Sequence, residues 1–269
     1  MKIIPKEKYY KVIPLVEKVS CNILFAEVVV FHKASGTIFV DNDDCPTICL
    51  IVHKYGMSLL TGIPNYLFSN DLCTFLVSNQ NIVKWVLVYP DSLSVILYQN
   101  ISDRIYDYNM FDISKKGILL CRTKRVMFDF IGVTDIKNTN NFQIHKIAGT
   151  DFMRINGSVA PKNFWDTSED FIENGVGFFI ELSNTIACYC FSAFANVKKI
   201  EIGIETNLSY RRKGLAHFVA TYMLKYCIEN NLQPLWSCRI ENVKSMKLAQ
   251  KLGFIPKSEH EYFVIEKCT

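Results

Sequence analysis

The sequence IETNLSYRRKGLA, residues 204–216, joins two segments with different periodicities. Residues 198–206 alternate isoleucine with lysine, glutamate or glycine, a period of two that predicts a half-buried β-strand. After the quoted stretch, apolar residues recur at helical spacing from Leu215 to Cys227, which predicts a helix of about four turns. The stretch is therefore a strand-to-helix crossing, and it predicts an α/β fold with a mixed (α+β) sheet.

The start of this helix has the properties of a phosphate site. Backbone N–H groups in a first helical turn have no acceptor within the helix and lie at the positive end of its dipole. Gly214 permits close approach to the backbone, and Ala216 keeps the first turn small. Cationic donors come from Arg211, Arg212 and Lys213. Two common phosphate loops, G-x4-G-K-[ST] and G-x-G-x2-G after a strand, are not matched, which leaves the pattern R-x-x-G-x-A.

A second pattern follows in register with the first. A predicted strand at residues 235–238 precedes Asn242-x-x-Ser245 and a helix that ends in KLGF, residues 251–254. With both patterns, the chain resembles the GNAT superfamily of acetyl-CoA-dependent N-acyltransferases, whose signature Q/R-x-x-G-x-G/A opens the corresponding helix. The resemblance implies a GNAT fold and acetyl-CoA as the acyl donor.

Further segments resemble a bacterial GNAT subfamily that includes zwittermicin-resistance acetyltransferases. They are Trp165 with Glu169-Asp170-Phe171, GVGF at residues 175–178, CFSA at 190–193, EIGIET at 201–206, Tyr226-Cys227, and L-x-P-x-W at 232–236. The resemblance is strong over residues 143–267. It is faint in the first half, at residues 37–41 and Pro46.

The resemblance also implies where acetyl-CoA binds. Its pantetheine arm would lie like an added strand between residues 204–206 and 235–238, with the thioester carbonyl near the backbone N–H of Thr206. Its diphosphate would meet the backbone of Arg212 to His217, with Asn242 and Ser245 nearby. The implied binding residues are Ile204, Glu205, Thr206, Arg211, Arg212, Lys213, Gly214, Leu215, Ala216, His217, Asn242 and Ser245.

Two carboxylates on the strand are candidates for the general base. An amine arrives largely protonated and needs a proton acceptor before it attacks. Glu201 occupies the position of the base in several family members, Glu205 lies further along the same face, and we favour Glu201. A solvated, charged strand face is the competing interpretation. Many members have a tyrosine as general acid where this chain has Ala249, which leaves Tyr210, Tyr262 or water as the proton donor.

The first half of the chain carries no comparable motif, and no internal repeat at a fixed period is visible. Strands are predicted at residues 23–31, 37–40, 47–52, 82–89, 126–133, 142–148, 176–182, 185–193 and 262–266, and further helices at 1–19, 67–79, 164–174 and 245–251. The polar run KNTNN at 137–141 predicts a linker. We therefore expect a mixed α/β domain at 1–141, which would shape the substrate pocket, and a GNAT acetyltransferase domain at 142–269.

The composition argues against several classes of protein. The 269 residues are 49% hydrophobic and 21% charged, unlike a disordered chain. No apolar run approaches the ~20 residues of a membrane-spanning helix, and the first ten residues do not resemble a secretion signal, so we expect a cytoplasmic protein without a membrane partner. The net charge of +4 is divided evenly between the halves, which disfavours a nucleic-acid partner.

The ten cysteines match neither a zinc nor a disulfide pattern. Cys45 and Cys49 form C-x3-C, and Cys188 and Cys190 form C-x-C, but no C-x2-C or H-x3-5-H completes a tetrahedral set. We therefore expect free thiols in a reducing compartment and no metal.

These expectations combine into one principal function and two alternatives. The chain is expected to be an acetyl-CoA-dependent N-acetyltransferase that acts on a primary amine of a small molecule, by direct attack in a ternary complex, as a monomer or homodimer. A catalytically silent acyl-CoA-binding regulatory module is the first alternative, motivated by Ala249. An RNA-associated acetyltransferase is the second, and the even charge disfavours it.

Overall fold

The computed structural model of the protein describes residues 1–78, 82–110, 117–132 and 142–268. Their strands are β1 (Lys2–Ile3), β2 (Gly36–Val40), β3 (Ile48–His53), β4 (Met57–Gly62), β5 (Trp85–Tyr89), β6 (Ile105–Asp107), β7 (Gly117–Phe130), β8 (Ile144–Lys146), β9 (Gly177–Leu182), β10 (Thr185–Ala195), β11 (Lys199–Thr206), β12 (Gln233–Arg239) and β13 (Phe254–Cys268). Their α-helices are α1 (Ile13–Val16), α2 (Leu24–Val30), α3 (Tyr66–Ser78), α4 (Val95–Ile101), α5 (Gly149–Phe152), α6 (Ser168–Asn174), α7 (Leu215–Glu229) and α8 (Val243–Lys251). The predicted mixed α/β fold is confirmed.

The chain divides into two compact units, Met1–Val126 with Ser258–Thr269, and Met127–Lys257. The last residues of the chain thus group with the first unit. The linker predicted at residues 137–141 lies outside the described residues, so the predicted division into domains 1–141 and 142–269 stays a prediction.

The first unit is a sheet covered on both faces by helices. Antiparallel pairs join β1 to β2, β2 to β3 and β3 to β4, a parallel pair joins β4 to β5, and β5 pairs antiparallel with β13. The whole of β3 is buried, because α2 packs against β3 and β4 while Phe68, Leu72 and Leu76 of α3 share a core cluster with Leu50 and Val52. Both faces of β3 are therefore core.

The second unit is built in the same way around the crossing quoted above. Antiparallel pairs join β8 to β9, β9 to β10 and β10 to β11, and a parallel pair joins β11 to β12. Helix α7 lies against β9, β10, β11 and β12. The tight turn between β9 and β10 is formed by Ser183 and Asn184, both with positive φ, as a two-residue hairpin requires.

The two units therefore repeat one order of elements. In each, three antiparallel pairings lead to a strand, a crossing helix and a parallel strand: β4–α3–β5 in the first unit and β11–α7–β12 in the second. This shared order is not visible in the sequence as a repeat at a fixed period.

Two predictions in the first half are wrong. The segment predicted as a strand at 23–31 contains the helix α2, in which all residues except Glu27 are buried. A short run of apolar residues fits a buried strand and a buried helix equally well, so periodicity alone did not separate them. The helix predicted at 1–19 is instead the strand β1, a 3-10 helix at Lys6–Val12 and the short helix α1, interrupted near Pro5 and Pro14.

One prediction in the second half needs correction as well. The alternation in β11 predicts a strand with one exposed face, but Glu201 is 4% exposed and Gly203 is also buried. The exposed-face interpretation of Glu201 is therefore wrong. Part of this burial comes from the neighbouring strand, because a Cβ atom on Gly203 would lie 2.7 Å from the ring of Phe191, its pairing partner on β10.

Candidate functional site

The crossing between β11 and α7 is held in place by its own polar groups. Asn207 Oδ1 accepts a hydrogen bond from the Ser209 backbone N–H at 3.1 Å, and the Asn207 N–H donates to Ala187 O at 3.0 Å. Arg211 Nε donates to Thr206 O at 3.1 Å. One of the three predicted cations therefore shapes the loop as well as adding charge.

The helix start opens onto free space. Gly214 is the N-cap of α7 with φ of 80°, and Arg212 has φ of 65°. Among the described residues, no atom lies within 4 Å of a Cβ atom built on Gly214, apart from Gly214 itself, its two chain neighbours and the adjacent backbone of α7. The first intrahelical bond runs from Phe218 N to Gly214 O at 3.2 Å, so the N–H groups of residues 215–217 have no acceptor within the helix. This arrangement provides backbone donors and room for an anion.

The charges around this opening are accessible. The side chains of Arg211, Arg212, Lys213 and His217 are exposed, and Lys213 Nζ lies 5.1 Å from the ring centroid of Tyr210. Leu215 is buried, so its side chain anchors α7 and only its backbone faces the opening. The residues predicted for the diphosphate thus lie together at one helix start.

Beside this opening the two parallel strands part. Pairing between β11 and β12 runs from Lys199 and Gln233 to Glu201 and Leu235, although β11 continues to Thr206 and β12 to Arg239. The register of β10 against β11 shifts between Ser192 and Phe194. The shift lies opposite Glu201, the last residue of β11 that pairs with β12. A bulge at this point increases the local twist, which helps β11 to diverge from β12.

Backbone groups of β11 point into this gap. The bond from Asn207 N to Ala187 O makes Cys188 and Thr206 a non-hydrogen-bonded pair of the antiparallel ladder. The N–H groups of Thr206 and, two residues earlier, Ile204 therefore point away from β10 and toward the side of β12. An extended ligand between the strands would accept hydrogen bonds from these two N–H groups in the way that a neighbouring β-strand does.

Glu201 and Ser237 meet across the point where the strands part. Ser237 on β12 donates its hydroxyl hydrogen bond to Glu201 Oε1 at 2.5 Å. A buried carboxylate is costly unless hydrogen bonds stabilise its charge, and the serine supplies one. No motif in the sequence points to Ser237, because its contact with Glu201 depends on the register between two strands.

Glu205 has a different environment. Its Oε2 accepts hydrogen bonds from the Val159 N–H at 2.8 Å, the Tyr189 hydroxyl at 3.2 Å and the Ser158 hydroxyl at 3.3 Å. A Cβ atom on Gly157 would lie within 2.5 Å of the same oxygen. The carboxylate thus holds the segment around residues 157–159 against the end of β11.

Asn242 and Ser245 are engaged at the start of α8. Asn242 Oδ1 caps the helix by accepting a hydrogen bond from the Ser245 N–H at 3.1 Å, and Trp236 Nε1 donates to Ser245 Oγ at 3.1 Å. Both residues thus fix α8 beside the end of β12.

Comparison with known proteins identifies the family. A GNAT acetyltransferase family model matches residues 14–263. The chain belongs to the GNAT acetyltransferase family. Membership implies acetyl-CoA-dependent acetyl transfer, and the two sequence patterns correctly indicated a GNAT protein.

Individual GNAT relatives differ in how much of the chain they match. The "Uncharacterized N-acetyltransferase YdfB" of Bacillus subtilis (strain 168) is 34% identical over 102 residues, which make up 38% of this chain and 39% of that protein. The match thus spans well under half of this relative.

Solved structures show the same fold over nearly the whole chain. A GCN5-related N-acetyltransferase-like protein from Streptococcus suis 89/1591 has a TM-score of 0.72 at 19% identity, covering 97% of this chain and 99% of that chain. A tandem GNAT protein from the clavulanic acid biosynthesis pathway has a TM-score of 0.55 at 7% identity, covering 100% and 98%. At these identities the likeness concerns the fold alone.

Three side chains of this GNAT protein bear on which group protonates the leaving thiolate. Ala249 is fully buried on α8 and carries no proton to donate. The Tyr210 hydroxyl donates to Leu182 O at 3.3 Å, and Tyr262 is buried in the first unit with its ring near Arg125. Ala249 is therefore not the proton donor, and Tyr210, Tyr262 and water are the candidates for that role.

A cysteine lies near the predicted thioester position but is not a nucleophile. Cys188 Sγ is 3.1 Å from Thr206 Oγ1, and burial raises the pKa of the Cys188 thiol to about 12. The thiol is therefore protonated at neutral pH, whereas nucleophilic attack requires the thiolate. Ser192 on β10 is also occupied, since its hydroxyl donates to Val176 O at 3.1 Å and accepts from Val176 N at 2.9 Å.

Metal-binding groups and membrane-spanning helices are both absent from the residues that the structure describes. Within them, no three His, Cys, Asp or Glu side chains are grouped as metal ligands. No helix among them is long and apolar enough to cross a membrane.

Proposed function

We propose that the chain transfers the acetyl group of acetyl-CoA to a primary amine of a small molecule, within a ternary complex in the second unit. The observation that carries the proposal is the parting of β11 and β12 beside the open, cationic start of α7. The N–H groups at residues 215–217 and the cations of residues 211–213 would receive the diphosphate. The pantetheine arm would lie in the gap, against Ile204 and Thr206.

Glu201 is the proposed general base. It is the carboxylate at the point where the strands part, and its hydrogen bond from Ser237 fixes its orientation. In the proposed step it receives a proton from the ammonium group, directly or through one water molecule. The amine lone pair then forms the C–N bond with the thioester carbonyl and the C–S bond breaks, so that coenzyme A leaves as thiolate. The nitrogen gives up its second proton to the thiolate or to water, which leaves the neutral amide.

Glu205 fits a supporting role better than a catalytic one. Three hydrogen-bond donors already surround its Oε2, so a proton transfer to that oxygen would disrupt the contacts that hold residues 157–159. Direct transfer also agrees with the protonated Cys188 thiol, which does not offer a covalent acyl carrier beside Thr206.

The finer features of the proposal follow from the sequence. We propose a cytoplasmic protein, a monomer or homodimer, related to the subfamily that includes zwittermicin-resistance acetyltransferases. The alternative of a silent acyl-CoA-binding module is supported by the buried Ala249, which removes one route for protonating the leaving thiolate.

Release of coenzyme A thiol separates the two functions. The purified chain is incubated with acetyl-CoA and a panel of primary amines, and free thiol is followed by a chromogenic disulfide. Amine-dependent release that is lost in Glu201→Gln supports the transferase. Tight binding of acetyl-CoA without release on any amine supports the silent module.

A further inference from the structure

The repeated order of elements invites a comparison of the two crossings. In the second unit, the proposed acetyl-CoA site lies where β11 leads into α7 and diverges from β12. The equivalent place in the first unit is where β4 leads into α3 and runs beside β5. The same fold thus offers two candidate clefts, and three features of the first differ from those of the second.

The first difference is in the strands. In the first unit β4 and β5 pair from Met57 and Trp85 through to Thr61 and Tyr89, so the pairing reaches the end of β5 and stops one residue before the end of β4. In the second unit the corresponding pairing ends at Glu201, well before the end of β11. Backbone groups that would hydrogen-bond a pantetheine arm are therefore already used within the first sheet.

The second difference is in the glycine at the crossing. Gly62 ends β4 with φ of 129°, and a Cβ atom there would lie within 2.5 Å of Ile48 Cα and closer still to Thr47 O. Ile63 N also donates to Thr47 O at 2.8 Å. Gly62 therefore packs tightly against the neighbouring strand, whereas Gly214 faces open space.

The third difference is in the helix start. Asn65 Oδ1 accepts hydrogen bonds from the N–H groups of Leu67 at 3.1 Å and Phe68 at 3.3 Å, so the first amides of α3 already have an acceptor. The residues exposed here are apolar: Ile63 is 65%, Tyr66 79% and Leu67 74% exposed. Residues 62–68 contain no lysine or arginine, in contrast to residues 211–213.

We infer that the first unit is a repeat of the GNAT architecture whose acyl-CoA cleft is closed, so that the chain binds one acetyl-CoA, in the second unit only. The inference rests on the proposed function, because it takes residues 204–217 as the working site. By this inference, the first unit does not bind a second acyl donor. Binding should therefore follow a single, non-cooperative isotherm.

Titration calorimetry on the full chain with acetyl-CoA tests the inference. The natural chain should bind one equivalent. Gly214→Glu and Lys213→Glu each place a carboxylate at the start of α7, and repulsion from the diphosphate should weaken binding by roughly 100-fold or more. Lys213→Glu serves as the second variant because its side chain is exposed and its backbone is unstrained by the change.

Tyr66→Glu is the matched control in the first unit. It adds one negative charge at the start of α3, as Gly214→Glu does at the start of α7. Because Tyr66 is exposed, the change should leave both the stoichiometry and the dissociation constant unchanged within about twofold. Two equivalents in the natural chain, or a loss of affinity in Tyr66→Glu comparable with that in Lys213→Glu, would overturn the closed cleft. Those results would not contradict the proposed transferase activity. If the folded natural chain binds no acetyl-CoA at all, both the proposed function and the single site are contradicted.

Discussion

Replacement of Glu201 by glutamine tests the proposed base while preserving the shape of the site. The amide oxygen of glutamine still accepts the hydrogen bond from Ser237, so the strand positions should not change. Loss of a positioned general base typically lowers the rate by about 10²- to 10⁴-fold, and we expect kcat to fall in this range with little change in the KM for acetyl-CoA. The loss should be largest at pH values below the pKa of the acceptor amine, where the amine arrives protonated.

Ser237→Ala separates orientation from proton transfer in the same experiment. A hydrogen bond to a charged group contributes about 1.5–3 kcal/mol, which corresponds to roughly 10- to 150-fold in rate if all of it acts on the transition state. If Ser237 acts only through Glu201, then Ser237→Ala should cost little more once Glu201→Gln is present.

The assay is steady-state thiol release over a range of pH, with circular dichroism and thermal melts to verify folding. Glu229→Gln, at the exposed end of α7, is the matched control for a change from glutamate to glutamine and should behave like the natural chain. Retention of more than half of kcat by Glu201→Gln across the pH range would refute the base. A larger loss in Glu205→Gln than in Glu201→Gln would move the base to Glu205.

Three further predictions concern the framework around the site. Gly157→Ala should lower the free energy of unfolding in urea by about 1–3 kcal/mol, because its Cβ would overlap the Tyr189 hydroxyl; an unchanged midpoint would contradict this packing. Thr167→Ala removes the side-chain cap of α6 and should cost about 1 kcal/mol, a fall of roughly 2–4 °C in Tm by calorimetry, whereas no change would show that the cap is dispensable. In alkylation followed by mass spectrometry, the exposed Cys45 should react fast and the buried Cys188 only in denaturant, so equal rates in the native protein would contradict the burial.

The sequence predicted the second unit better than the first for physical reasons. The crossing at 204–216 combines a change of period, a glycine with positive φ and adjacent cations, and such local features can be recognised without knowing what packs against them. The segment at 23–31, predicted as a strand, contains the helix α2, which packs against β3 and β4. Its apolar pattern fits either structure, and the packing against these two strands is not visible in the sequence.

The side chains at the site depend still more on distant contacts. A solvated strand face competes with the favoured role of Glu201 as base at the level of sequence, because nothing in its alternating neighbourhood reveals that its side chain is buried. No sequence motif marks Ser237 or Tyr189 as a site residue. Ser237 contacts Glu201 and Tyr189 contacts Glu205 only because of the register between neighbouring strands. The closed cleft of the first unit is likewise a property of strand pairing and of one capping asparagine, which composition does not show.

A crystal structure of the full chain with acetyl-CoA tests the central claim most directly. We expect the diphosphate on the backbone N–H groups of residues 212–217, the pantetheine arm between β11 and β12, and the thioester carbonyl close to the Thr206 N–H. The β4–β5 side of the first unit should be without ligand. Acetyl-CoA bound beside β4 and α3, or away from the start of α7, would contradict the account.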